Sequence, residues 1–509
     1  MAEIGYSRLI LQLGLSVRPL RQPASISTAV NRRVVAEDRV LFPLGVAIQN
    51  TPLGQLEFAL RHEGVNLEVI EAAFAHIAPG ELVARLRATP NGEQIRRACF
   101  LWEWMGGQSL DAGVAPTGNY VDLFPADIYV TAARPRRMAR FRVRDNALGN
   151  ADFCPVVRRG SLPPAPGLAD LLAEARQAVE AVQDRALLDR AIRYLYLSET
   201  RGSFGIERET PSADKQERFV SLLRHAGDAN DGAPVDENWL ADLQNVVVRD
   251  AHSREASYRT RQNWLEDATG RITFLPPPPD ELRRAMAGWE AFANDEERCS
   301  DVLVKAACVA FGLVYLHPFM DGNGRLHRFM IHHVLARSGL LAEGILLPVS
   351  AVILKHVSSY HAVLSGFSRP VTALWDYRRG DIEPAIIRSP GSRPYRFFEA
   401  DREVAFLYEM IRLTVREEIP AELAWLQGYD AAFATLDAEL DLPQKDLSAL
   451  IRMIQSNGGA LSQHRRRQYA HLPAEVLDRV ESVVRGVFGG VEKEQEAPIT
   501  PLAPDLRSC

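Results

Sequence analysis

The sequence has few cysteines, and none of them is spaced as in a metal-binding cluster. The five are scattered along the chain as Cys99, Cys154, Cys299, Cys308 and Cys509. We therefore expect reduced thiols in a cytoplasmic protein rather than a disulfide framework or a zinc site.

The chain also lacks a long apolar run. No uninterrupted apolar stretch approaches the roughly 18 residues that a transmembrane helix needs. Near the start, the apolar segment 9–17 is preceded by one arginine and interrupted by Gln12, Gly14 and Ser16. We therefore expect neither a membrane span nor a signal peptide.

An excess of one charge is likewise absent. The net charge of −6 over 509 residues gives no general reason to expect binding to nucleic acid or to an anionic membrane. One stretch is locally basic, because six arginines lie between Arg134 and Arg144. A solvated face is the simpler interpretation, and a surface for nucleic acid or a protein partner is the alternative.

What remains is an ordinary globular composition, with 47% hydrophobic and 24% charged residues. The predicted fold class is mainly α. Residues 1–165 mix helical and strand-like patterns, compatible with a small α/β domain of winged-helix type, and end in the proline-rich linker 161–167. Residues 166–385 are mostly helical, and 386–396 look like a linker at the start of a helical C-terminal domain, 386–490. The polar tail, 491–509, is expected to be disordered.

The most informative stretch is L-H-P-F-M-D-G-N-G-R-L-H-R, residues 316–328. The apolar run Val302–Leu316 predicts a buried helix that ends before Pro318, because the proline ring blocks a helical hydrogen bond. Residues 321–324 predict a tight turn, since glycine and asparagine tolerate positive φ. A second helical pattern begins at Arg325. The stretch therefore predicts a helix, a glycine-rich turn and another helix.

The residues of this turn suit a phosphate site. A helix N-terminus presents free N–H groups and a positive dipole end, and the glycines let a phosphate approach closely. Arg325 and Arg328 are three apart, so both lie on one helix face and can bind phosphate oxygens. Asp321 is an oxygen ligand suited to Mg²⁺, and His317 is suited to act as a general base. Together they predict phosphoryl or nucleotidyl transfer.

The stretch resembles the signature of the Fic family, H-x-F-x-(D/E)-G-N-G-R-x-x-R, at every specified position. The matching residues are His317, Phe319, Asp321, Gly322, Asn323, Gly324, Arg325 and Arg328. The resemblance implies an all-helical core with a short β-hairpin flap. It also implies transfer of AMP from ATP to a serine, threonine or tyrosine hydroxyl of a target protein.

Individual roles follow from this resemblance. His317 takes the proton of the target hydroxyl, Asp321 holds Mg²⁺, and Phe319 packs in the core. The expected nucleotide-binding residues are Gly322, Asn323, Gly324, Arg325, Arg328 and Tyr360. The Asn323 amide is expected to contact a phosphate. Tyr360 is included because the corresponding region lines the adenosine pocket in the family, and core packing is the equal alternative.

Upstream, Ser203-x-x-x-Glu207 resembles the inhibitory helix of Fic proteins, (S/T)-x-x-x-E-(G/N). The resemblance implies that Glu207 pairs with Arg328. This pairing would remove a phosphate ligand and place negative charge where the γ-phosphate should bind. Arg208 departs from the motif, which has glycine or asparagine there. An exposed helical glutamate is the alternative interpretation. A brake within the chain makes a separate inhibitor unnecessary.

Residues 259–279 resemble the flap region of the family. The β-prone segment consists of Ile272, Thr273, Phe274 and Leu275, and four prolines follow it. An exposed strand beside the site can pair with an extended segment of a target protein through main-chain hydrogen bonds. An ordinary surface hairpin is the alternative.

Other functions stay open at this point. The donor could be UTP, because contacts to the base come from outside the motif. Phosphocholine transfer, removal of AMP by the same site, and a nucleotide-binding, DNA-associated regulator without turnover are further alternatives. The intact Gly322 and Gly324 favour nucleotidyl transfer over the kinase-like chemistry of some family members. A homo-oligomer is compatible with the sequence, which specifies no oligomeric state.

Overall fold

The computed structural model of the chain is mainly helical, as predicted. It describes residues 2–46, 48–226, 234–248, 251–341, 344–378, 380 and 384–489. The tail for which we predict disorder, 491–509, lies outside these residues. Among the described helices, none combines the length and the apolar character needed to cross a membrane.

The described residues contain twenty α-helices and eleven short strands. The helices are α1 Gly5–Leu13, α2 Pro52–His62, α3 Leu67–Phe74, α4 Pro79–Ala88, α5 Glu93–Gly106, α6 Leu168–Glu180, α7 Arg185–Ile206, α8 Ala213–Arg224, α9 Glu237–Val247, α10 Pro279–Asn294, α11 Val302–Leu316, α12 Asn323–Arg337, α13 Val349–Lys355, α14 Val357–Thr372, α15 Arg393–Arg396, α16 Asp401–Leu413, α17 Ile419–Glu439, α18 Gln444–Ser456, α19 Gln463–Gln468 and α20 Ala474–Phe488. The strands are β1 Ala2–Glu3, β2 Ala24–Ile26, β3 Val34–Val35, β4 Val40–Phe42, β5 Val121–Asp122, β6 Arg136–Met138, β7 Val143–Asp145, β8 Leu265–Glu266, β9 Ile272–Phe274, β10 Asp376–Arg378 and β11 Ala385–Arg388.

The N-terminal part combines two small sheets with helices α1–α5. One sheet has the order β1-β2-β4-β3, with β2 and β4 parallel, and the other has the order β5-β7-β6. The helices share an apolar core in which Leu56, Ile70 and Leu101 are fully buried. Residues 128–132 form no strand: Tyr129 makes only an isolated bridge to Arg158, and the N–H groups of Ile128 and Tyr129 donate to the Pro125 carbonyl in a turn.

The basic stretch near residue 140 has acidic and aromatic neighbours. Four of its arginines form ion pairs and the other two lie over a tyrosine ring: Arg134–Glu297, Arg136–Asp295, Arg140–Glu103, Arg144–Asp122, Arg137–Tyr120 and Arg142–Tyr120. Because these contacts satisfy much of the charge within the chain, they favour a solvated face over a nucleic-acid surface.

Helix α11 lies at the centre of the larger part of the chain and is almost completely buried, as its apolar sequence predicts. Its first turn is capped by Asp301, whose side chain accepts the N–H of Val304 at 3.1 Å. Lys305 is the one charged residue of this helix. Its ammonium group donates to the carbonyls of Phe292 and Asp295. Helix α12 packs along α11, so the loop between them is held at both ends.

The chain divides into two compact units. The larger comprises Met1–Gln177 and Tyr194–Arg416, and the smaller comprises Ala178–Arg193 and Glu417–Cys509. This grouping differs from the predicted boundaries near residues 165 and 385. One reason is that the second half of the expected linker, 386–396, is packed together with the residues that follow it.

Residues 393–401 are packed firmly inside the larger unit. Tyr395 is fully buried, and Arg396 pairs with Glu71 at 2.7 Å. Asp401 pairs with Arg158 at 3.0 Å. Pro394, one of the residues that suggested a linker, therefore lies in a segment that ion pairs fix to the N-terminal part.

The smaller unit is helical throughout its described residues. Helices α17, α18 and α20 share a core that includes Leu436, Leu450, Ile454, Val480 and Val484, all essentially inaccessible to solvent. The predicted helical C-terminal domain is thus recognisable, but its compact part begins at Glu417 rather than at residue 386.

Candidate functional site

His317 lies at the C-terminal end of α11 in a left-handed backbone conformation, with φ 52°. Its N–H donates to the carbonyl of Leu313 at 2.9 Å, and Pro318 prevents the helix from continuing. This conformation costs a non-glycine residue about 1–2 kcal/mol. The surrounding structure must therefore hold His317 in place.

The imidazole of His317 is buried and oriented by one hydrogen bond. Its Nδ1 lies 3.2 Å from the carbonyl oxygen of Val314. Because a carbonyl only accepts, Nδ1 carries the proton and Nε2 keeps a free lone pair. Burial, assisted by the positive charge of Arg259, lowers the pKa of His317 to about 4. The neutral ring can therefore accept a proton at Nε2.

The loop after His317 is braced by the amide of Asn323. The Oδ1 atom accepts the N–H of Phe319 at 3.0 Å, and Nδ2 donates to the Phe319 carbonyl at 2.7 Å. The side chain of Asn263 donates to the same carbonyl at 2.9 Å. Both ends of the Asn323 amide are thus used within the loop, in contrast to the predicted phosphate contact. Phe319 is fully buried, as predicted.

Asp321 presents a half-exposed carboxylate beside the turn, with 42% of its side chain accessible. Its Oδ1 accepts the N–H of Gly322 at 2.7 Å and lies 3.4 Å from Nη2 of Arg325. In nucleotide sites Mg²⁺ is commonly held by one or two carboxylates together with phosphates and water. A single accessible carboxylate fits that pattern. Within the described residues no group of three or more His, Cys, Asp or Glu could hold a metal unaided.

The two glycines of the turn serve different purposes. Gly322 is the N-cap of α12 with φ 88°, so this helix begins at Asn323, two residues earlier than predicted. Gly324 permits a close approach, because a Cβ there would lie 2.3 Å from Oε1 of Glu207. The Glu207 carboxylate therefore lies against the first turn of α12, where the sequence predicts phosphate.

Arg328 is fully buried and bound to the end of α7. Its Nε donates to Ser203 Oγ at 3.0 Å, and its Nη2 donates to the Ser203 carbonyl at 2.7 Å and to Glu207 Oε1 at 2.8 Å. Burial opposes ionisation of Glu207, but the charges of Arg328 and Arg325 outweigh it and hold the pKa of Glu207 below its ordinary value. The pair predicted between Glu207 and Arg328 is present.

Arg325 is bound by a second carboxylate. Its Nη1 donates to Glu209 Oε2 at 2.9 Å and to the Val247 carbonyl at 2.5 Å. Glu209 also accepts from Nζ of Lys215 at 3.1 Å. The sequence prediction missed Glu209. Its signal is the spacing of the two acids in Glu207-Arg208-Glu209, just beyond the end of α7 at Ile206.

The segment after α7 reverses direction at Arg208, whose φ is 56°. The N–H of Glu209 donates to the Phe204 carbonyl at 3.1 Å and closes the helix end. A left-handed residue just beyond a helix is usually glycine or asparagine. This geometry accounts for the residue types expected at position 208, and it turns the side chains of Glu207 and Glu209 toward α12.

Strands β8 and β9 form the predicted antiparallel hairpin. Thr273 is exposed and Ile272 is half-buried. Phe274 and Leu275 are buried, and the ring of Phe274 lies 6.2 Å from that of His317. Of the four expected docking residues, Thr273 is therefore accessible and Ile272 partly so, whereas Phe274 and Leu275 fix the hairpin beside the histidine.

Tyr360 lies in the core rather than on an open surface. Its ring is stacked on His327 with centroids 5.9 Å apart, and it is 3% exposed. Burial raises the pKa of Tyr360 to about 12. This environment favours the packing alternative over the expected contact with adenosine.

Two further residues hold the loop and were not predicted. Glu255 accepts the N–H of Met320 at 2.7 Å, and Arg259 donates to the carbonyl of His317 at 2.9 Å. The first contact joins residues that are 65 positions apart in the chain, and the second joins residues that are 58 positions apart. No local spacing in the sequence indicates such contacts.

The comparison with protein-family models matches the segment that contains this site. The model of the Fic/DOC family matches residues 234–335, which include the hairpin, the loop after α11 and most of helix α12. The match does not extend to Ser203, Glu207 or Glu209.

Curated relatives are similar over a longer segment. The chain is 39% identical to "Protein adenylyltransferase Fic" of Drosophila mojavensis over 191 residues, covering 33% of this chain and 37% of that protein. It is 29% identical to the protein of the same name from Drosophila grimshawi over 191 residues, covering 33% and 39%. The chain therefore spans less than two fifths of the length of these relatives. A solved "Fic domain containing signaling protein" of Bacteroides thetaiotaomicron aligns at 18% identity, covering 51% of this chain and 97% of that chain, with a TM-score of 0.36.

Proposed function

We propose that this chain, which carries a Fic/DOC family domain at residues 234–335, is a protein adenylyltransferase. The reaction would move AMP from ATP to a serine, threonine or tyrosine hydroxyl of a target protein. The observation that carries the proposal is the neutral imidazole of His317, which is oriented with Nε2 free. A single loop separates this ring from the N-terminus of α12, the helix that carries Arg325 and Arg328. The names of the relatives support the same chemistry.

In the proposed reaction, Nε2 of His317 accepts the proton of the target hydroxyl while the hydroxyl oxygen attacks the α-phosphorus. A new oxygen–phosphorus bond forms. The bond from the α-phosphorus to its bridging oxygen breaks, and pyrophosphate leaves with that electron pair. The N–H groups at the start of α12 bind phosphate oxygens.

The two arginines of α12 supply the remaining charge. Once free of their carboxylate partners, Arg325 and Arg328 neutralise the charge that develops on pyrophosphate. Asp321 would hold Mg²⁺, which supplies further positive charge to the phosphates when it is bound. The half-exposed position of the Asp321 carboxylate, beside the first turn of α12, supports this assignment.

Autoinhibition is part of this proposal, and the contacts of the two arginines support it. Glu207 holds Arg328 and Glu209 holds Arg325, so neither arginine is available to a phosphate. The Glu207 carboxylate also places negative charge against Gly324, where an incoming polyphosphate would be repelled. Activity would therefore require the end of α7 to move away from α12.

The β8–β9 hairpin is the proposed docking strand for the target protein. The ring of Phe274 lies near the His317 ring, and Thr273 one residue earlier is exposed. A segment paired along this strand would present its hydroxyl close to Nε2 of His317.

The test uses purified wild type, Glu207→Gly and His317→Ala, each incubated with Mg²⁺ and ATP labelled at the α-phosphate. Label on protein, self-modification included, should be weak in wild type, strong in Glu207→Gly and absent in His317→Ala. Parallel reactions use ATP labelled at the γ-phosphate and UTP labelled at the α-phosphate. Transfer only from one of these would replace the proposal with kinase or uridylyl-transfer chemistry, and binding without transfer from any donor would indicate a regulator without turnover.

A further inference from the structure

The guanidinium group of Arg259 is buried behind the loop of the proposed site. The residue is 4% exposed, and within the described part of the chain no carboxylate forms an ion pair with it. Its side chain donates to three main-chain carbonyls instead. The acceptors are His317 at 2.9 Å, Pro277 at 2.6 Å and Arg261 at 3.1 Å.

A buried cation whose side chain contacts only carbonyl groups lowers the stability of the fold, because the carbonyl dipoles compensate only part of the hydration free energy that the cation loses. Burial lowers the pKa of Arg259 to about 10, well below that of an ordinary arginine. A buried guanidinium group is useful where its several N–H donors hold main-chain segments in a geometry that an apolar side chain could not fix.

The three acceptors belong to segments that must keep a fixed spacing in the proposed reaction. His317 carries the base and has a left-handed backbone that requires support. Pro277 lies three residues after β9, the proposed docking strand. The main-chain N–H of Arg259 also donates to the Pro318 carbonyl at 2.8 Å. Arg259 therefore contacts both the backbone of His317 and the segment that follows the hairpin.

We propose that Arg259 is a positioning residue that sets the distance between the docking strand and Nε2 of His317, and so aligns the target hydroxyl with the base. This inference rests on the proposed transfer of AMP. It assigns to Arg259 no contact with substrate.

The charge of Arg259 gives a readout that a purely structural role would not have. Burial is the main cause of the lowered pKa of His317, and the charged groups that act on the ring are Arg259, which favours the neutral form, and Glu207, which favours the charged form. Removing the positive charge of Arg259 should raise the pKa of His317 toward the ordinary imidazole value near 6.5. Replacement of Arg259 by lysine keeps the charge but removes the planar set of guanidinium N–H donors.

The experiment compares Arg259→Gln and Arg259→Lys in the Glu207→Gly background, with self-modification by α-labelled ATP as the assay. Both variants should lose about tenfold or more in maximal rate, while KM for ATP changes less than about twofold. The acid limb of the pH–rate profile should move to higher pH in Arg259→Gln and stay in place in Arg259→Lys. The control is Arg298→Gln, since Arg298 is comparably buried and donates to the carbonyls of Ala147 and Gly149, and also to the Asp145 carboxylate at 2.7 Å. It should reduce thermal stability without moving the acid limb.

A second readout does not depend on turnover. Histidine-selective NMR, assigned with His317→Ala, should report a higher His317 pKa in Arg259→Gln than in its parent. An active parent with an unchanged rate in both Arg259 variants would overturn the inference. So would a rate loss with an unmoved acid limb and an unmoved NMR titration in Arg259→Gln. A silent Glu207→Gly parent would instead refute the proposed transfer, and the NMR titration would still decide whether Arg259 acts on His317.

Discussion

Oε2 of Glu209 lies 2.9 Å from Nη1 of Arg325, so the first arginine of the motif is held by a carboxylate as closely as the second. Glu207 makes the corresponding contact to Arg328 at 2.8 Å. Both acids belong to one three-residue segment that follows α7. Because they share this segment, a single movement of the end of α7 would release both arginines.

The first prediction concerns Glu209. We expect Glu209→Gln to increase ATP affinity by about tenfold when it is added to a Glu207→Gln, His317→Ala background. A charge-assisted hydrogen bond contributes about 1.5–3 kcal/mol, and about 1.4 kcal/mol corresponds to tenfold in affinity. Equilibrium binding of ATP with Mg²⁺, measured by titration calorimetry, checks this without turnover. Glu217→Gln, an exposed acid on α8, is the matched control and should leave affinity unchanged. Weaker binding in Glu209→Gln would mean that Glu209 orients Arg325 for phosphate instead of blocking it.

The second prediction concerns Glu207. Glu207→Gly and Glu207→Gln should each raise the rate of AMP transfer by at least about tenfold, because Arg328 loses a charged partner worth about 1.5–3 kcal/mol. Ser203→Ala should have a smaller effect, since the Ser203 carbonyl still accepts from Arg328. Initial rates of label incorporation provide the measurement. Equal rates in wild type and Glu207→Gly would show that the Glu207–Arg328 pair does not limit activity.

The third prediction concerns the left-handed residue beyond α7. Arg208→Asn should lower the basal transfer rate about threefold, because asparagine adopts this conformation at lower cost and the contacts of Glu207 and Glu209 become more populated. Arg208→Ala removes the same charge without that backbone preference, so it serves as the control. The measurement is the basal transfer rate of each variant relative to that of the wild type. A common effect of both substitutions would assign it to the arginine side chain and not to the backbone.

The fourth prediction concerns stability against pH. Burial is the main cause that lowers the pKa of His317 and His333 to about 4 and that of His327 to about 3. Between these values and the unfolded value near 6.5, the unfolded chain binds more protons than the folded chain, so stability falls as pH falls. The melting temperature should drop by a few degrees from pH 7 to pH 5.

The substitution that isolates this effect is His327→Phe. His327 lies against Phe311 with ring centroids 4.7 Å apart, so a phenyl ring suits the site. Calorimetric melting of this variant should show a shallower decline between pH 7 and pH 5 than the wild type. An unchanged slope would mean that His327 does not contribute to the acid sensitivity.

Much of the site follows from local sequence. The end of α11 before Pro318, the turn around Gly322 and the common face of Arg325 and Arg328 depend on residue type and helical spacing. These features appear in the structure where they were expected, although α12 begins two residues early. The Glu207–Arg328 pair was expected from the resemblance of a short motif.

Other contacts could not be predicted, because they join positions far apart in the chain. The side chain of Asn323 was assigned to phosphate but braces the Phe319 backbone, a choice that depends on how the loop closes. Tyr360 was equally compatible with a pocket and with the core, and only the packing of α14 decided between them. Residues 386–396 have the composition of a linker, yet Arg396 is drawn into the larger unit by Glu71.

The sequence by itself determined the mainly helical class, the helix–turn–helix of the motif and the residue types of the proposed chemistry, because each depends on neighbours within one or two helical turns. The tertiary structure alone decided the partners of Arg325 and of the His317 backbone. Arg325 is bound to Glu209, and the backbone of His317 is held by Arg259, through contacts across 116 and 58 positions. Such contacts arise when separate segments bury their apolar faces together, and side-chain spacing along the chain does not specify which segments meet.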